Sequence, residues 1–110
     1  MRKQEQVKIN RFVEEVWNQA ISEFHNEYGT VKPVRLRSCK ACVFETTHYY
    51  FLQSYNTFVA CIDKEQDTLI DALRCVYGYT STSAQHISKF NHDYSKGKWG
   101  CEGRVTWKEV

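Results

Sequence analysis

Residues 47–62 read THYYFLQSYNTFVACI, and their density of Tyr, Phe, Val and Thr predicts strand rather than helix. The polar break at Ser54, Tyr55 and Asn56 divides the run into two strands, 47–55 and 57–62, joined as a β-hairpin. Downstream, 63–67 is a polar turn. Residues 68–75 fit two periods: Leu69, Asp71 and Leu73 alternate with Ile70, Ala72 and Arg74 as in a strand, while Leu69, Leu73, Val76 and Tyr77 suit a helix. The reading taken is a third strand. Thr80, Ser81, Thr82 and Ser83 then supply capping chemistry ahead of an apolar stripe at Ala84, Ile87, Phe90 and Tyr94, which predicts a helix over 82–93. A Gly- and Lys-rich loop at 95–103 leads to a closing strand at 104–108, with Val105 and Trp107 on one face.

Upstream of the hairpin, Ile9, Phe12, Val13, Val16, Trp17, Ala20, Ile21, Phe24 and Tyr28 recur at the three-and-four spacing of an amphipathic helix. Gly29 is placed to end it, so the helix spans about 5–28. Residues 31–40 read as extended, because Pro33 opposes helix and Val34 and Leu36 alternate with Arg35 and Arg37. Together these elements predict one α+β domain over 1–110. A long N-terminal helix and a short second helix pack on one face of a small, mainly antiparallel sheet of three to four strands. Ile9, Phe12, Val16, Phe24, Val59, Ile87 and Phe90 are its expected core.

Composition narrows the function classes. With 42% hydrophobic and 25% charged residues the 110-residue chain has what a folded core needs. A net charge of +2 is too balanced for an obligate nucleic-acid binder or an acidic DNA mimic. Five Cys is an odd number and no secretory signal precedes them, so reduced thiols in a cytoplasm are expected, with Cys101 the most reactive. No apolar run is long enough to span a bilayer. No repeat or low-complexity tract is present.

Cys39 and Cys42 have the spacing of a metal-binding pair, with His86 and His92 as distant completing ligands, but the gap to those His is several times that of a zinc finger. No metal and no cofactor are therefore expected. Asp63, Glu65, Asp67 and Asp71 lack the glycine and terminal Glu of an EF-hand and read as a solvated turn. No nucleophile–base pair, P-loop or dinucleotide fingerprint stands at motif spacing, which favours a binding module over an enzyme.

Three features are candidate contact surface. Lys32, Arg35, Arg37 and Lys40 form the most basic stretch, suited to phosphate or carboxylate and equally to protecting an edge strand. Thr80, Ser81 and Thr82, with His86 on the first turns of the helix and Lys89 beyond it, combine hydroxyls with a helix N-terminus, as an anion grip or as ordinary capping. Tyr55 and Tyr79 stand among Tyr49, Tyr50, Phe51 and Tyr77 as anchors for a partner, although alternation turns about half of such positions inward.

The stretch from Ser54 to Ala60, with that from Tyr77 to Phe90, resembles a family of small uncharacterised proteins of phages and mobile elements of gut Firmicutes. The resemblance covers about residues 47–94 and implies no known activity. It implies a genetic setting in which small proteins block host defence, for instance as anti-CRISPR proteins. The expected function is inhibition of a host defence protein, with an RNA-guided nuclease effector as the expected target. The alternative is a nucleic-acid-binding accessory protein using Arg35, Arg37, Lys89, Lys96 and Lys98. Convergence of those cations on one face favours the alternative, and scatter disfavours it.

Overall fold

The computed structural model describes residues 3–36 and 40–108. Among these, helix α1 spans Lys3–Glu27, and strands β1 (Val34–Arg35), β2 (Ala41–Glu45), β3 (Tyr49–Ser54), β4 (Thr57–Asp63) and β5 (Thr68–Asp71) follow. A one-turn helix α2 (Leu73–Val76), helix α3 (Ser81–Tyr94) and strand β6 (Gly103–Thr106) complete the chain. The strands form one sheet in chain order, antiparallel from β1 to β5, with β6 parallel to β5. The architecture is α+β, a long N-terminal helix with a mainly antiparallel sheet, as expected.

The number of strands and the placement of the helices are corrections. Among the described residues the sheet has six strands rather than three or four, and the two long helices cover opposite faces. Val13, Trp17, Ala20 and Phe24 of α1 meet Phe51, Cys61 and Ile70 on one face. Ile87 and Phe90 of α3 meet Leu52, Ala60, Ile62 and Leu69 on the other. Strands covered on both sides read as near-continuous apolar runs, which is what 57–62 is. A bulge opposite Leu52 and Gln53 inserts one residue into β4, so that Val59 and Ala60 both enter the α3-side core while Phe58 falls on the α1 side.

Local departures have equally local causes. Phe12 is 55% exposed, because it sits about 100° around α1 from Val13 and misses the stripe. Ile9 and Val16 border the core rather than fill it, whereas Phe24, Val59, Ile87 and Phe90 lie within it. The strand expected over 68–75 stops at Asp71, whose carboxylate accepts from the Leu73 amide (3.1 Å) and starts α2. Gly78, at φ +103°, then ends α2 through its amide to the Leu73 carbonyl (2.9 Å).

Candidate functional site

The end of the sheet where β3 turns into β4 brings together much of the predicted contact surface. The two-residue turn Tyr55-Asn56 follows from the pairing of Ser54 with Thr57, and it holds Tyr55 at φ +58°. The Tyr55 amide donates to the Lys40 carbonyl (2.7 Å), while the Lys40 ammonium stands 5.9 Å above the Tyr55 ring. Tyr77, from the end of α2, lies parallel to Tyr55 with centroids 6.3 Å apart. Tyr79 follows across Gly78, with the Arg74 guanidinium 4.9 Å over its ring. The three rings are 40%, 47% and 58% exposed, so this row faces solvent.

Beneath the row, His86 turns inward. It is buried, its Nδ1 2.9 Å from the Ser54 hydroxyl, which is itself 2.9 Å from the Ser83 hydroxyl. The anion grip drawn from the sequence is therefore not formed in that shape. Thr80 is the N-cap, its hydroxyl accepting from the Ser83 amide (3.1 Å), Ser81 and Thr82 are exposed, and Lys89 pairs with Asp93 (3.2 Å). His86 instead acts with Ser54 and Ser83 as a polar tie between α3 and the turn that carries Tyr55. Ser54→Ala removes the hydroxyl that links Ser83 and His86 across this tie, with an expected loss of about 1–2 kcal/mol in a urea titration.

Of the basic stretch, Lys40 joins this end of the sheet. Lys32 and Arg35 are exposed at the β1 edge, and Arg37 and Cys39 lie outside the described residues. The other cations named with them also scatter, Lys89 on α3 and Lys96 and Lys98 in the loop before β6. Among the described residues no cluster of three His, Cys, Asp or Glu side chains is arranged to hold a metal ion. No helix there is long and apolar enough to cross a membrane.

Two sequence readings of single residues are overturned. Cys101 is partly buried, and burial together with the Asp67 carboxylate pushes its thiol up to about 12, which disfavours the reactive thiolate. Asp67 is a buried acceptor rather than part of a solvated turn, and it holds the 95–103 loop through the amides of Lys96 (2.9 Å) and Glu102 (3.0 Å). The sequence reading also missed Arg74. Its signal was present in the helical alternative for 68–75, which places Arg74 one turn before Tyr77 and Gly78.

A family model described as a family of unknown function (DUF8033) matches residues 21–106, a span that runs from the last turns of α1 through β6. No curated protein and no solved structure matches the chain.

Proposed function

The chain belongs to DUF8033, a family of unknown function, and from that premise we propose that it is a binding protein that covers a surface of a larger protein. Its contact is the row Tyr55, Tyr77 and Tyr79, flanked by Lys40 and Arg74. The observation that carries this reading is the exposed stacked pair Tyr55 and Tyr77, with Tyr79 exposed two residues further along the chain. Tyr concentrates binding energy at interfaces and has few rotors to immobilise. A bulky residue in the left-handed region costs about 1–2 kcal/mol, and such strain collects at functional positions, which supports a working role for Tyr55 at φ +58°. The flanking cations suit a partner with acidic groups around an apolar patch.

The resemblance to phage and mobile-element proteins directs this reading to a host defence protein in the cytoplasm. An RNA-guided nuclease effector, occluded on a nucleic-acid or regulatory surface, is the partner we favour. The protein acts by binding rather than catalysis, without a cofactor. The scatter of Arg35, Lys89, Lys96 and Lys98 lends no support to the alternative of a nucleic-acid accessory protein.

The test is capture of a purified RNA-guided nuclease complex by the immobilised protein, beside the variant Tyr55→Ala/Tyr77→Ala/Tyr79→Ala. The expected result is capture and reduced cutting with the native chain, and an affinity loss of at least about a hundredfold in the variant. All three rings are exposed, so the variant should keep its melting temperature within a few degrees. No capture by the native chain, or undiminished capture by the variant, overturns the reading. A labelled nucleic-acid panel run across a salt series adds the complementary arm. Binding that weakens steeply with salt would move the function to the basic residues.

A further inference from the structure

Helix α3 packs mainly over β3 and β4, and on the same face the β5–β6 edge beyond Leu69 is only partly covered. The residues on that part are polar. Asp71 of β5 and Arg104 and Thr106 of β6 share the face of Leu69, since Arg104 pairs with Leu69 and Thr106 with Asp71. Arg74, Tyr79, Ser88 and Lys108 close the remaining sides of a cleft of about 310 Å³. We propose that this cleft binds a phosphate monoester, a site distinct from the protein contact proposed above although Tyr79 and Arg74 border both.

Charge and order both support this. Three cations and one carboxylate line the cleft, an excess of two positive charges that matches a phosphate dianion. The two guanidinium groups are held in place before any ligand arrives, and the main chain that carries Lys108 is anchored. Arg104 is paired to Asp71 (3.1 Å), and Asp71 is itself fixed by accepting from the Leu73 amide. Arg74 rests on the Tyr79 ring at 4.9 Å. The main chain at Lys108 is tied to α1, its amide donating to Asn10 Oδ1 (3.2 Å) and its carbonyl accepting from Asn10 Nδ2. Such pre-ordering reduces the entropy lost on binding. The guanidinium groups supply paired donors to phosphate oxygens, and the hydroxyls of Tyr79, Ser88 and Thr106 supply single ones.

The rest of the ligand has a place as well. Tyr79, Ala84 and Ser88 continue from this cleft into a shallow depression that Ser81, Gln85 and Lys89 line on the outer side of α3. An organic body lying across Tyr79 would reach it, with the ring as a stacking surface. Both a free mononucleotide and the 5′-phosphorylated end of a nucleic-acid strand present this chemistry.

The experiment is calorimetric titration of the whole chain with adenosine 5′-monophosphate, with adenosine, and with a short oligothymidylate carrying or lacking a 5′-phosphate. The variant Arg74→Gln/Lys108→Gln is run beside it and leaves the Arg104–Asp71 pair intact. Binding of the monophosphate but not of adenosine, weakened at least about tenfold in the variant at unchanged melting temperature, supports the proposal with a free ligand. Binding of the phosphorylated oligonucleotide alone, with the same loss in the variant, supports it with a strand end as the source. Failure of every phosphorylated probe to bind the native chain overturns it, as does binding that ignores the 5′-phosphate or the two substitutions. None of these readouts uses the nuclease complex, so the site and the protein contact stand or fall separately.

Discussion

Replacing Phe24 with alanine is expected to lower the unfolding free energy by about 3–5 kcal/mol. The reason is the number of rings that meet there. Phe24 lies edge-on to Phe44 (5.6 Å), Phe51 (5.6 Å) and Phe58 (4.9 Å), and so pins α1 to three successive strands of the sheet. Its ring is buried, the rings around it are held by β-strand backbone, and a cavity there has little means of closing. Small domains are stable by roughly 5–15 kcal/mol in total, so the variant should show a clearly lower midpoint in urea with an unchanged slope. Phe12→Ala on the same helix is the internal control. Phe12 is mostly exposed, and a change within about 0.5 kcal/mol is expected. A loss below about 1 kcal/mol for Phe24→Ala would mean that the ring cluster does not hold α1 in place.

The contrast between Phe12 and Phe24 also shows what the sequence makes legible. Periodicity placed the helix and its stripe, because nine apolar positions repeat with one period from Ile9 to Tyr28, over between five and six turns. It could not say how wide the stripe would be, since that depends on the curvature of the sheet against which α1 packs. The hairpin was equally legible, because its turn residues and strand residues are adjacent in sequence. Strand β2 escaped notice. Ala41–Glu45 is short and mixed, and it gains its identity from pairing with β3. The parallel β5–β6 pairing depends on a crossover through α2 and α3, a non-local feature with no local sequence mark.

The candidate site divides along the same line. Tyr55, Tyr79 and the Thr80 cap are properties of a turn and a helix start, and the sequence marked them. His86 was read as a surface group because it follows a helix N-terminus, yet α3 turns that position toward Ser54 on β3. Arg104 and Lys108 join Arg74 and Tyr79 only once β6 lies beside β5, so their cleft was invisible in one dimension. A signal for the sheet covered on both faces was available in the unbroken apolar run of β4, which fits burial on both sides better than the one-sided sheet inferred from it.

Asp67→Ala is the second large expected effect, a loss of about 3 kcal/mol that should shrink as the pH is lowered. Asp67 sits at φ +49°, a conformation Asp tolerates far better than Ala, and its buried carboxylate accepts the amides of Lys96 and Glu102. Its own carbonyl accepts the Gly103 amide (3.2 Å), so the same residue sets the loop and the start of β6. Gly100, at φ +125° against Asn91, completes a loop that no other residue type is suited to close. Burial pushes the Asp67 carboxyl up, but the Lys96 and Glu102 amides, the Cys101 thiol and the Lys96 charge together outweigh it and hold the group below the usual range. The folded state thus ionises Asp67 more readily than the unfolded chain, whose carboxyl titrates near about 3.9. The stabilisation is complete above that value and disappears as the pH falls through the folded one. Urea titrations at neutral pH should separate the native chain from Asp67→Ala by the full difference, which should narrow as the pH falls below 4 toward the residual cost of Ala at φ +49°. Thiol labelling gives an independent check. Without the Asp67 charge and with the loop loosened, Cys101 should react faster than in the native chain, where burial and that carboxylate keep it protonated. An unchanged labelling rate with a large loss of stability would place the role of Asp67 in β6 rather than in the loop.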